Sequence, residues 1–165
     1  MANVNTSLVS NFEASPQVMN ASHELHGVKR VAQGTIALAA GDLSANDTVM
    51  LAPVPTNASI TSIKLFNDDL DSGTTNTCDV GIYNTDAVAV DDDAYASAIT
   101  DLRAAVTTGT EVAFEARNIN AMGQQVWEDA GASSDPGGYY YIGLVFDAAG
   151  DTGGDLSFII EYVVN

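Results

Sequence analysis

The chain has 165 residues, 22 acidic and only five basic side chains, and a formal net charge of −17. A chain of this length can bury enough apolar surface to fold as one domain, and the single cysteine, Cys78, excludes an intrachain disulfide. Five dispersed basic residues cannot neutralise a run of phosphates, which excludes nucleic-acid binding. The N-terminus is polar and the apolar runs are short, so the sequence predicts neither a secretion signal nor a membrane span.

The charge is distributed unevenly along the chain. Residues 1–40 carry Glu13 and Glu24 against Lys29 and Arg30 and are neutral as a whole, so the entire net charge lies after residue 40. An acidic body repels anionic surfaces and other copies of itself, whereas a neutral leader can lie against another protein. This split predicts an anchoring segment joined to a body that faces water.

Residues 1–27 show no sustained hydrophobic period and are rich in Asn, Ser and Ala. We predict that they form an extended N-terminal arm, which gains order on a partner surface, and that residues 28–165 form one folded domain. A frayed terminus is the alternative. The arm is favoured because it carries more apolar side chains than a solvated tail needs: Leu8, Val9, Phe12, Val18, Met19 and Leu25.

Short segments with alternating apolar and polar residues dominate the rest of the chain. Leu156, Phe158 and Ile160 alternate with Ser157 and Ile159, the period of two that is typical of a strand with one buried face. Clusters of Asp, Gly and Ser separate the segments, as turns do. We expect strands at residues 28–38, 48–54, 59–66, 78–83, 111–116, 139–146 and 156–164, with an eighth near the N-terminus as an option.

The segment 139–146 is apolar on both faces. Ile142, Leu144 and Phe146 share one face, and Tyr139, Tyr141 and Val145 share the other. Such a strand is either central in a sandwich or packs against a neighbouring subunit.

Two short helices are predicted in connections. Tyr95, Ala98, Ile99 and Leu102 have the spacing of one helical stripe, with Asp91–Asp93 before them as a cap. A second helix of one or two turns is expected around 121–128, with Asn120 as its cap and Val126 or Trp127 pointing inward. Short strands with helices confined to connections indicate an all-β fold, an antiparallel β-sandwich and, with eight strands, a jelly roll.

Few residues suggest chemistry. His23 and His26 have no further His or Cys to complete a zinc site, and Cys78 alternates with Val80 and Ile82, which predicts an inert core thiol. Residues 67–78 fail the EF-hand pattern because Ser72 and Cys78 replace the glycine and the bidentate acid. Two interpretations of Asp147, Asp151 and Asp155 stay open: these residues lie in solvated turns, or they hold a calcium ion between loops. We expect no catalytic residues, no cofactor and no metal centre.

Several segments resemble head structural proteins of tailed bacteriophages: residues 27–32, 41–47, 60–71, 79–84 and 94–99, and the closing strands 140–146 and 156–164. The resemblance covers most of the chain from about residue 25 and includes no catalytic motif. It implies a capsid decoration (cement) protein, a non-enzymatic jelly-roll subunit that trimerises at three-fold positions on the outer head and clamps adjacent major capsid proteins. The expected location is the virion, after synthesis in the host cytoplasm.

On this reading the partners are the major capsid protein and two further copies of the chain. The candidate capsid contacts are Leu8, Phe12, Val18, Met19, Leu25, Lys29 and Arg30, and the candidate subunit contacts are Tyr139, Tyr141 and Val145. The alternative is a carbohydrate- or receptor-binding sandwich module with Trp127 and tyrosines on an exposed face. A jelly-roll hydrolase is the rival among enzymes, and it requires a pocket with convergent polar groups.

Overall fold

The computed structural model describes residues 4–22 and 24–165. It contains eight strands and two short helices, α1 in the arm and α2 in the connection before β7. The elements are α1 (Ser7–Glu13), β1 (Lys29–Leu38), β2 (Thr48–Pro55), β3 (Ala58–Asn67), β4 (Thr77–Tyr83), β5 (Ala89–Ile99), β6 (Val106–Glu111), α2 (Val126–Asp129), β7 (Tyr139–Ala148) and β8 (Gly154–Val164).

The strands form two four-stranded antiparallel sheets. Sheet A has the order β1-β8-β3-β6, and sheet B has the order β2-β7-β4-β5. Consecutive strands at the start of the chain thus lie in opposite sheets, and β8 lies between β1 and β3. This is the double-sheet arrangement of a jelly roll. The predicted all-β class, the sandwich and the jelly roll are confirmed.

The core lies between the two sheets and is built by the alternation seen in the sequence. Ile142, Leu144 and Phe146 of β7 are fully buried, and β8 contributes Leu156 and Ile160. Cys78 lies in the same core, where burial raises the pKa of its thiol, with smaller contributions from nearby aspartates. The prediction that Cys78 faces the core is thus confirmed.

The helix predicted around Tyr95 is wrong, because this segment belongs to β5. Tyr95 and Ile99 are buried there, and Leu102 follows in a 3₁₀ turn, Asp101–Arg103. The pairing of β5 with β4 is interrupted by three register shifts, and Ala98 has a left-handed φ of 52°. Bulges of this kind break the alternation of buried and exposed side chains along a strand, so the buried residues of β5 have a spacing that resembles that of a helix. Asp91–Asp93 consequently lie within β5 and cap no helix.

The strand predicted at 111–116 is also displaced. β6 ends at Glu111, and the following residues form a turn in which Val112 and Ala113 are buried. The Glu111 carboxylate accepts hydrogen bonds from the backbone N–H groups of Ile63 and Ala113, at 2.8 and 3.1 Å, and so holds this turn against β3. The second predicted helix is confirmed only in part: α2 begins at Val126, which is fully buried, and Asn120 lies in a separate 3₁₀ turn, Ile119–Ala121, and does not cap it.

A buried ion pair fixes the long connection between β6 and β7. Nη2 of Arg117 lies 2.7 and 3.0 Å from the two carboxylate oxygens of Asp129, and both side chains are less than 5% exposed. The guanidinium also lies over the rings of Tyr95 and Phe114, 5.5 and 5.6 Å from their centres. Burial raises the pKa of Asp129 to about 6, although Arg117 opposes this shift.

Candidate functional site

The N-terminal arm is folded back on itself. After α1 the chain turns, and Val18 N–H donates to the carbonyl of Asn11 at 3.1 Å. Two asparagine side chains stabilise this folded-back conformation of the arm. Asn11 Nδ2 donates to Asn20 Oδ1 at 2.8 Å, and Asn20 Nδ2 donates to the Leu8 carbonyl at 3.0 Å. The arm therefore contains a helix that its sequence, without a sustained helical period, did not predict.

Few contacts join the described residues of the arm to the sandwich. Ser22 Oγ donates to Asn165 Oδ1 at 3.0 Å, at the end of the sandwich where β1 begins and β8 ends. Glu24 lies beside Gly123, where an added Cβ would be 4.0 Å from the glutamate Cγ. No described residue of the arm belongs to the buried core between the sheets.

The arm carries an open apolar groove, which we call the arm groove. It has a volume of about 310 Å³, and its lining is mostly apolar. Phe12 and Met19 on its rim are 64% and 88% exposed, values far above those of core side chains. Four of the seven predicted capsid-contact residues line it: Phe12, Val18, Met19 and Leu25.

The other three predicted contact residues lie apart from the groove lining. Leu8 is half-buried in α1, where its carbonyl accepts the bond from Asn20. Lys29 at the start of β1 forms an exposed ion pair with Glu161, 2.7 Å between Nζ and Oε2. Arg30 is exposed, and within the described part of the chain its guanidinium has neither an ion-pair nor a hydrogen-bond partner.

The opposite end of the sandwich is acidic. The loops there are tied together by backbone hydrogen bonds, such as Asp151 N–H to the Leu70 carbonyl at 3.2 Å and Gly150 N–H to the Leu43 carbonyl at 2.9 Å. Gly150 packs so tightly that a Cβ would lie 2.3 Å from Leu70 O. We call this the acidic end; its aspartates are Asp42, Asp47, Asp68, Asp69, Asp71, Asp101, Asp147, Asp151 and Asp155.

Most aspartates of the acidic end have structural roles. Asp71 accepts hydrogen bonds from the backbone N–H groups of Gly73, Thr75 and Asn76, which lower the pKa of its carboxyl against the effect of burial. Asp151 binds the N–H and hydroxyl of Ser72, at 2.7 and 2.6 Å. Asp147, Asp151 and Asp155 are not among the carboxylates of the described residues that lie, in groups of three or more, within 4.8 Å of one another.

The predicted subunit-contact residues share the outer face of sheet B. Tyr139 is 46% exposed, and its ring packs edge-to-face on that of Tyr141 with 5.7 Å between centres. Val145, further along β7, is half-buried. Because β7 is a central strand, the prolines of β2 flank these side chains: Pro55 pairs with Tyr139 and Pro53 with Tyr141.

The other residues considered from the sequence are not assembled into a site. His26 is exposed, His23 lies outside the described residues, and Trp127 is half-buried, with its Nε1–H bound to Gln125 at 3.1 Å. The exposed apolar side chains that the sequence did not single out include Ile119 and Met122, which are 86% and 66% exposed. They lie in an irregular loop, where sequence patterns do not report exposure.

None of the described helices has the length and apolar character needed to cross a membrane. No protein-family model matches the chain, and no curated protein matches its sequence.

Solved structures, in contrast, share its fold. A chain from the capsid of Ralstonia phage GP4 matches with a TM-score of 0.62 and 22% identity, over 84% of this chain and 86% of that chain. A chain from the capsid asymmetric unit of cyanophage Pam1 matches with a TM-score of 0.55 and 17% identity, over the full length of both. The resemblance noted from the sequence is confirmed at the level of the fold: the chain has a jelly-roll fold that occurs in phage capsids.

Proposed function

We propose that the chain is a structural protein of a phage virion, which decorates the outer surface of the major capsid protein lattice as a trimer at three-fold positions. The observation that carries the proposal is the arm groove, an exposed apolar surface at one end of a fold that also occurs in phage capsids. The arm comprises residues 1–27, and residues 28–165 are the decorating body.

The arm groove supplies the contact with the lattice. Exposed side chains as large as Phe12 and Met19 stabilise a complex when a partner covers them, and a few such residues carry most of the energy of an interface. Arg30 is free to meet a carboxylate of the partner, whereas Lys29 first has to leave Glu161.

The charge of the body sets its orientation. With the arm on the lattice, the acidic end points away from the shell, because it lies at the other end of the strands. A strongly negative outer surface keeps particles apart in solution. The contact with the shell needs no catalysis: a protein that binds only the assembled lattice stabilises it by mass action.

The outer face of β7 supplies the contact between copies. Tyr139, Tyr141 and Val145 form a half-exposed patch, and three-fold symmetry uses one such patch three times. Aromatic side chains are enriched at such interfaces.

The test measures binding to capsids that lack this protein, by co-sedimentation. The double variant Phe12→Asp/Met19→Asp places two charges on the rim of the arm groove, and we expect it to weaken capsid binding at least tenfold, about 1.4 kcal/mol or more. Deletion of residues 1–26 is expected to abolish binding and the added heat resistance of the capsid while the trimer persists.

The matched control is Val88→Asp. Val88 is 58% exposed like the groove residues, but lies in the turn between β4 and β5. It should bind capsids as the wild type does. Full capsid binding by the deletion variant would refute the role of the arm. Tight binding to a glycan array, without binding to capsids, would favour the carbohydrate-binding alternative.

A further inference from the structure

Two large apolar side chains, those of Ile119 and Met122, are exposed to water on the loop between β6 and α2. They are 86% and 66% exposed, whereas the apolar side chains of the core are at most 9% exposed. Ile119 begins the 3₁₀ turn Ile119–Ala121, and Met122 follows it directly. Residues three apart in such a turn lie on the same side, so the loop presents the two side chains together. We call this pair the loop patch.

The backbone around the loop patch is fixed to the sandwich. After the patch, Ser59 Oγ of β3 donates to the Gly123 carbonyl at 2.9 Å, and the buried Arg117 donates through Nη2 to the Gln124 carbonyl at 3.2 Å. Before the patch, the Asn118 side chain accepts a hydrogen bond of 2.9 Å from a backbone N–H of the 3₁₀ turn. A partner that covers the loop patch therefore meets an ordered surface, and little conformational entropy is lost on binding.

The loop patch lies beside the arm groove. A Cβ added to Gly123 would lie 4.0 Å from Cγ of Glu24, so the loop and the arm touch at this point. Met122 directly precedes Gly123 in the chain, and Leu25, which lines the arm groove, directly follows Glu24. The loop patch and the arm groove are therefore neighbouring apolar surfaces at the same end of the sandwich.

The loop resembles the arm in charge as well. Residues 118–125 include no acidic or basic side chain, although the whole net charge of −17 lies after residue 40. A partner can cover this loop without taking one of its charged groups out of water, which would oppose binding. The loop thus suits the same kind of occupant as the arm groove, an uncharged and apolar protein surface.

We propose that the loop patch is a second contact with the occupant of the arm groove, the outer surface of the major capsid protein lattice; this inference rests on the proposed function. The described residues of the arm make few contacts with the sandwich, so the arm can adjust to the lattice. The loop patch is fixed to the body and therefore sets the orientation of the body on the shell. Two linked contacts also bind more tightly than either alone, because the second forms at a high effective concentration.

The experiment measures binding of the full-length protein to capsids that lack it, by co-sedimentation. Ile119→Asp/Met122→Asp should weaken binding at least about tenfold, and Ile119→Ser/Met122→Ser, which adds no charge, at least about threefold. Both variants should keep the melting temperature and the oligomeric state of the wild type, because the two side chains lie outside the core. The matched control, Ala105→Asp/Ala149→Asp, adds the same charge to exposed residues of the acidic end and should bind like the wild type.

A photoreactive phenylalanine analogue in place of Met122 identifies what covers the loop patch. On irradiation of decorated capsids we expect a cross-link to the major capsid protein, and a cross-link only to another copy of this chain would overturn the proposal. Unchanged binding by Ile119→Asp/Met122→Asp would also overturn it, and would leave the proposed function standing as long as Phe12→Asp/Met19→Asp loses binding. Failure of the proposed function has a different signature, because the wild type itself would then not bind capsids.

Discussion

Arg117 and Asp129 show how one buried contact can hold a long irregular connection. The pair is nearly inaccessible to water, and Tyr95 completes it by donating its hydroxyl to Asp129 at 3.2 Å. Removal of one member leaves the other charged and unpaired in the interior, which costs far more than the pair contributes as a whole. Arg117 also donates to the Ile60 carbonyl at 3.3 Å, so its loss would leave a backbone group of β3 less well bonded.

We therefore expect Arg117→Met to lower the free energy of unfolding by about 3–5 kcal/mol, measured by urea denaturation. Without Arg117 the pKa of Asp129 rises further above its unfolded value, so the folded protein holds a proton that the unfolded chain releases. The destabilisation should therefore be smaller near pH 4 and should grow as pH rises through and beyond 6.

The control is Lys29→Met, which breaks an ion pair of similar length that is exposed to water and should cost less than about 1 kcal/mol. Equal losses in the two variants would contradict the role assigned to burial.

At the residue scale the sequence predicted the core better than the polar contacts. The inward positions of β7 follow from alternation alone, because burial of every second side chain is a local property of a strand. The partnership of Arg117 with Asp129 depends on how the connection after β6 folds over other strands. The spacing of residues along the sequence does not predict contacts of this kind.

At the scale of elements, the mistakes concentrate where strands are irregular. β7 and β8 alternate regularly and were placed within about two residues, as regular strands usually can be. β5 contains bulges, and the Asp79 carboxylate satisfies the exposed Ala98 N–H at 2.6 Å. The apolar positions of β5 therefore follow neither the strand nor the helix period, and the segment was assigned to the wrong type of element.

The outer face of β7 is the proposed contact between subunits, and a substitution there tests it. Tyr141→Ala removes an aromatic ring from the proposed subunit interface but from no part of the core, so the monomer should keep its stability. We expect the trimer to dissociate at least about tenfold more readily, measured by analytical ultracentrifugation across a concentration series.

The comparison variant is Gln33→Ala on β1 of the other sheet, which is exposed and should leave assembly unchanged. If the trimer of Tyr141→Ala is as stable as that of the wild type, the outer face of β7 is not part of the subunit interface.

At the scale of the whole molecule, the arm and the acidic end lie at opposite ends of the sandwich, which makes the proposed orientation testable. A folded tag inserted between Ala104 and Ala105, in the loop before β6 at the acidic end, should leave capsid binding intact. The same tag after Asn165 would stand beside Ser22 of the arm, and should reduce the number of copies bound per capsid. Co-sedimentation measures both, and circular dichroism checks the fold of each fusion. Equal binding by the two fusions would contradict the orientation.

The position of β8 between β1 and β3 has a consequence for biosynthesis. Pairs such as Thr35 and Ser157 join residues 122 positions apart, and among the described strands β1 is hydrogen-bonded in its sheet to β8 alone. While residues 154–164 are still inside the ribosome, β8 is missing from sheet A. β1 is then separated from β3, and the inner face of the sheet is left open between them. Closure of such distant pairs is slow, and it has to wait for the last strand to emerge. A nascent chain thus completes its sandwich only after translation has passed β8, so the strand order itself delays the appearance of a finished subunit.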